Sequence, residues 1–256
     1  SPAPAPHPPM AAQDNTTAAF TAVEYTLSPV GAAGAPGGAS DPKPALDALQ
    51  QLESLVQQPN WKKDPRCTQL MWRAFDADRL DVMKWLHTKG TPAGSRNERG
   101  WNMAHEACHH GRPHILVLLR DDFDHGHLFE ELALGDDSLH GGTHAASLAV
   151  MAGHTEVVQV LVESGIYIAK VRHGAHSRNL AHVAASHGRA EKKLWDLFGA
   201  HEVDLLGKDA QGKVPEDLAH ETGHAPAFAR GVSGLGWKGS PGTSPSKGGG
   251  YADDFE

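Results

Sequence analysis

The stretch GHTEVVQVLVESG, from Gly153 to Gly165, decides the fold. Its apolar residues Val157, Val158, Val160 and Leu161 fall on the stripe of one short helix. The same pattern, two apolar residues, a spacer and two more, recurs at Val82-Met83-x-Trp85-Leu86, Ile115-Leu116-x-Leu118-Leu119 and Leu194-Trp195-x-Leu197-Phe198. Upstream of each lies a second short helical segment that ends at glycine or its substitute: Asp78, Gly111, Gly153, Gly188 and a fifth, Gly223, at spacings of 33, 42, 35 and 35 residues. A residue that leaves a helix through the left-handed region is best a glycine, and Asp is a tolerable replacement.

A period near 33 with two short helices per unit marks a stacked helical array. At these residues the sequence resembles the ankyrin-repeat family, over about residues 65–230. GHTEVVQVLVESG is similar to the family's second helix and its exit, and GRPHILVLLRDD from Gly111 is a looser copy. The family's Thr-Pro-Leu-His start is degraded here to Asn102-Met103-Ala104-His105, His144-Ala145-Ala146-Ser147, Asn179-Leu180-Ala181-His182 and Val214-Pro215-Glu216-Asp217. Asn102 and Asn179 can cap a helix as Thr does. By resemblance, His105 and His182 keep the histidine that hydrogen-bonds neighbouring turns. The expected fold is all-α, an ankyrin-like helical repeat solenoid of about five degenerate repeats with extended N- and C-terminal arms.

Outward from the repeats the composition changes. Residues 1–45 are Pro, Ala and Gly rich and read as an extended arm; residues 46–64 read as an N-terminal helix and linker, with Leu46, Leu49, Leu52 and Val56 at helical spacing. Residues 231–256, with eight glycines and the ending YADDFE, read as a Gly-rich tail. Pro226 and Phe228 make the last repeat look truncated, as a terminal cap would be. The repeat that spans 42 residues carries an acidic insertion at 121–140, with seven acids and no Lys or Arg. Its centre, His127 to Leu134, is expected to add a helical turn with Phe129 and Leu132 packed inward, or to offer Phe129 to a partner.

The chain's 31 acids against 23 Lys and Arg give a net charge of −8, which argues against a nucleic-acid partner. No apolar run approaches the ~18 to 20 residues needed to span a bilayer. Two cysteines are too few for a disulfide scaffold. The start at Ser1 reads as a mature form, a fragment or a trimmed chain, with any targeting segment already gone. An intracellular, soluble protein of the cytoplasm or of an organelle interior (stroma or matrix) is expected.

His105-Glu106-Ala107-Cys108-His109 matches HExxH, the pattern of a zinc hydrolase, but it falls inside a repeat's first helix and lacks a following third ligand. The structural use of His105 is favoured, with no catalytic residue, no metal and no cofactor. The function expected is a non-catalytic protein–protein interaction module, an accessory or scaffolding subunit in a hetero-oligomer with one or more proteins. A zinc-dependent hydrolase at 105–109 and a transient regulatory adaptor are the alternatives. The resemblance implies partner contacts at hairpin tips and at the exposed side of the first helices: Arg96, Arg99 and Trp101, then His109, His110 and His187, then the basic tip Lys170, Arg172 and His173, with Phe129 from the insertion; Trp101 is either an exposed anchor or packed between repeats.

Overall fold

The computed structural model describes residue 50, residues 65–133 and residues 142–236. The N-terminal arm, the helix expected over 46–64 apart from helical Gln50, and the tail beyond Gly236 lie outside the described residues. Ten helices run through the described residues: α1 Pro65–Asp76, α2 Leu80–Thr88, α3 Met103–His110, α4 Pro113–Val117, α5 Ala145–Ala152, α6 Thr155–Glu163, α7 Leu180–Ser186, α8 Lys192–Ala200, α9 Pro215–Glu221 and α10 Ala225–Val232. They alternate as the short helix pairs expected from the period, and the described residues contain isolated bridges but no extended strand. This is an all-α helical repeat fold.

The described residues divide between two compact bodies, one of 65–97 with 117–128 and one of 98–116 with the remainder. In the first, α1 packs on α2, burying Cys67, Leu70, Met71, Ala74 and Phe75 against Val82, Met83 and Leu86. Asp78 takes the left-handed exit at φ 56°. The helix after Pro113 does not stop at Val117: it widens into a π turn over Leu118–Asp122, where the Phe123 N–H donates to the Leu118 carbonyl at 3.2 Å. In the other three copies of the apolar pattern the third apolar position, Trp85, Val160 or Leu197, is only half-buried, whereas Leu118 is fully enclosed. A π turn inserts extra backbone and so changes which way the following side chains face.

In the second body the first helices pack in the order α3, α5, α7, α9, and the second helices α6, α8 and α10 form a layer beside them. Trp195 on α8 meets Phe198 and Phe228 edge to face at 5.5 and 5.3 Å, three rings that are each almost fully buried. Burial of such a ring stabilises by about 1.5–3 kcal/mol. Gly231 is required there, because a Cβ would stand 2.1 Å from Trp195 Nε1.

The final repeat corrects the expectation of truncation. α10 has 8 residues against 9 for α6 and α8. Pro226 sits in its first turn, where a missing N–H costs no helical bond, and Phe228 anchors it to α8. The insertion also differs in part from expectation. A single tight turn forms at Gly126–Phe129, and Leu128 and Phe129 point inward, but Leu132 is 48% exposed and pairs in an isolated bridge with His144. Residues 134–141 of the insertion lie outside the described residues.

Candidate partner-binding surface

Three of the first helices, α3, α5 and α7, start on a side-chain cap that the sequence supplies. Asn102 Oδ1 accepts the His105 N–H at 3.0 Å, Asn179 Oδ1 accepts the His182 N–H at 3.1 Å, and His144 Nδ1 accepts the Ala146 N–H at 3.0 Å. Burial holds the His144 ring down to about pKa 4, which keeps that nitrogen an acceptor. His105 and His182 then reach into the next repeat: their Nε2 atoms lie 3.2 Å from the Thr143 carbonyl and 2.9 Å from the Lys213 carbonyl. Their Nδ1 atoms face Asn102 and Asn179 Oδ1 at 2.6 and 2.7 Å. Both contacts of the His182 ring are therefore acceptors, and a neutral ring can donate to only one of them. Burial pushes its pKa down, against the pull of the Lys213 carbonyl and Asp209.

This geometry spends the HExxH residues on packing. His105 is fully buried, the His109 ring stands edge-on to Trp101 at 5.3 Å, and Glu106, 7% exposed, faces His110 with 3.2 Å between Oε2 and Nε2. Among the described residues no three His, Cys, Asp or Glu side chains are grouped to hold a metal ion. Burial pushes the Cys108 thiol up, so its reactive thiolate is disfavoured.

The sequence-based candidates fall into separate places. Arg99, Trp101, His109 and His110 come together at the first tip of the second body: the Arg99 guanidinium lies 5.6 Å over the Trp101 ring, and His109 contacts His110. Trp101 is only 3% exposed and Phe129 fully buried, so both take the inward-packed alternative and neither serves as an exposed anchor. Arg96 is half-buried and belongs to the first body. His187 is exposed at the end of α7, its Nδ1 facing the Val183 carbonyl at 2.9 Å. Lys170 and Arg172 are exposed and His173 is half-buried on one hairpin tip.

Two features escaped the sequence reading. The residue after each turn glycine packs over the glycine of the repeat before: a Cβ would come within 2.6 Å of His154 at Gly111, 2.8 Å of Arg189 at Gly153 and 2.8 Å of His224 at Gly188. His154 Nε2 also lies 3.1 Å from the His109 carbonyl, and Arg189 donates to the Met151 carbonyl. The recurring Gly-His or Gly-Arg dipeptide was the available signal. The second is Tyr167, 50% exposed beneath the Lys170 ammonium, which sits 5.3 Å from its ring.

No helix among the described residues is long and apolar enough to cross a membrane. Residues 70–170 match the family model described as ankyrin repeats, three copies. No curated protein matches the chain.

Proposed function

Because the chain is an ankyrin-repeat protein, and such repeats indicate a protein–protein interaction module, we propose that it is a scaffolding or accessory subunit that holds another protein within a hetero-oligomeric assembly. The observation that carries this is the division of labour in the second body. The motif histidines His105 and His182 are consumed in linking repeats, while exposed cations and Tyr167 stand on a tip held by paired backbone hydrogen bonds between His173 and Arg178 and by the Ala210 N–H on the His176 carbonyl. A surface ordered in advance loses little entropy on binding. The proposed role is non-catalytic, since His105 of the HExxH stretch meets Asn102 and Thr143 and His109 meets Trp101, contacts that build the repeat. Neither Cys67 nor Cys108 is in a disulfide, and both are buried, which suits the reducing interior of a cell or organelle.

The test is the native mass of the protein in gentle extract of its source, with co-migrating proteins identified. A large particle that survives a salt wash is the expected result. A chain migrating alone at its own mass of 27.3 kDa overturns the subunit role. A second reading, the transient adaptor, draws on the charge of the exposed tip; it predicts a complex that forms at low salt and dissociates in the wash.

A further inference from the structure

We propose that the hairpin from Ile166 to Arg178 is the docking site for an acidic, extended segment of a partner protein, with Arg172, Lys170 and Tyr167 as its contacts. The inference rests on the interaction-module reading above and adds the chemistry of the partner. From Ile166 to Arg178 the sequence has Lys170, Arg172, His173, His176 and Arg178 and no acid. Among the described residues the carboxylate that reaches this hairpin is Asp209, 3.3 Å from Arg178. Asp209 is already engaged: its side chain is fully enclosed and also accepts the Gln211 and Lys213 N–H groups at 2.8 and 3.0 Å. Although burial works against its charge, those donors and Arg178 hold its carboxyl below the usual range. Asp209 therefore neutralises Arg178 and leaves the charge of Lys170 and Arg172 facing solvent.

The cations are also oriented. His173 and Arg178 exchange two backbone hydrogen bonds of 2.7 and 3.1 Å, and the His176 carbonyl accepts the Ala210 N–H of the next loop at 2.8 Å, so both arms of the hairpin are pinned. Arg172 Nη1 donates to the Ala169 and Val171 carbonyls at 2.8 and 2.9 Å. That fixes the guanidinium plane and turns its other edge, Nε and Nη2, toward a second acceptor, the fork that takes a carboxylate with two parallel bonds. Lys170 stands over the half-exposed Tyr167, a pairing of cation and aromatic surface typical of protein contacts. Two strong cations in a chain of net charge −8 are too few to hold a nucleic-acid backbone, which needs a run of phosphate contacts. An acidic peptide needs only these.

The test uses the full chain and a fluorescein-labelled poly-glutamate peptide, with poly-glutamine and a single-stranded oligonucleotide as comparison probes. Poly-glutamate binds in low salt, and amide shifts in the labelled protein gather at residues 166–178. The double variant Lys170→Glu, Arg172→Glu weakens binding at least about tenfold. Lys192→Glu with Lys193→Glu, the same charge change on exposed residues of α8, leaves it within about twofold. Equal unfolding midpoints in urea show that the loss is not misfolding. Equal binding of poly-glutamine, equal loss in the α8 variant, or tighter binding of the oligonucleotide overturns the assignment. Self-association lost in the tip variant also overturns it, in favour of a second copy's acidic insertion. If poly-glutamate fails to bind while the native particle persists in extract, the tip assignment falls and the scaffolding role stands. If poly-glutamate binds and the protein migrates alone, the reverse holds.

Discussion

The starts of α3 and α7 share a device that the start of α5, lying between them in the stack, does not have. Asn102 with His105 and Asn179 with His182 cap a helix and, through the ring Nε2, hold the carbonyl just before the next first helix. α5 is capped by His144, and the position that should carry the linking histidine is Ser147, buried with no hydrogen-bond partner for its hydroxyl among the described residues. Capping a helix and coupling it to its neighbour are thus separable tasks. The step from α5 to α7 rests on apolar packing, aided by Arg189 over Gly153. In a repeat array stability is a sum of unit and nearest-neighbour contributions, so coupling this uneven makes the middle step the weakest.

The strongest way to break that comparison is to remove a link. His182→Ala removes the ring's contacts with the Lys213 carbonyl and Asn179 Oδ1, which keep the N–H groups of Asp209 and of residue 182, and opens a buried cavity. A loss of about 2–3 kcal/mol is expected in urea unfolding, from the cavity and the lost link. A loss below about 1 kcal/mol would mean that the ring fills space and the bond couples nothing.

Acid sharpens the comparison from the other side, because the α5 cap works only while His144 is neutral. Its folded pKa of about 4 lies under the ordinary 6.5. Between those values the unfolded chain binds the proton and the folded one does not, so stability falls as pH drops below 6.5 and levels off below 4. The full loss is on the order of 3 kcal/mol, of which roughly half should be lost by pH 5. His144→Asn keeps an acceptor at the cap and should flatten much of this slope. His182 and His87, whose pKa values burial also lowers, supply what slope is left. An unchanged slope in His144→Asn places the acid sensitivity elsewhere.

A smaller effect is expected at α9, the third kind of start. Asp217 reaches back to accept the Val214 N–H at 3.0 Å, and Val214 has no side-chain acceptor to return the bond. Asp217→Ala should cost about 1 kcal/mol, the worth of half a capping box.

The periodicity was legible because the apolar quartets and the turn glycines are local patterns with a fixed spacing. Gly111, Gly153, Gly188 and Gly223 all take positive φ, as does Asp78. What was not legible depends on neighbours far away in the chain. Trp101 reads equally as an exposed anchor or a packed residue until His109 is seen against its edge, and Pro226 reads as a stop until Phe228 is seen against Trp195. The π turn at Leu118 leaves no local mark, since its quartet looks like the others. At the candidate surface the basic run from Lys170 to His173 could be read directly. That Arg178 is neutralised and Arg172 is not could not, because the deciding residue, Asp209, is 31 positions from Arg178.

The smallest expected effect tests the comparison most directly. If α5 truly lacks a link, the Ser147 hydroxyl is a buried polar group that folding removed from water without return. Ser147→Ala removes only that oxygen and places a better helix former in α5. The expected change in unfolding free energy is between zero and about 1 kcal/mol of added stability, the opposite sign from His182→Ala at the equivalent position. A loss of more than about 1 kcal/mol would show that the hydroxyl has a partner such as an ordered water. α5 would then be tied to its neighbour after all, by a bridge in place of a ring, and the array would be evenly coupled along its length.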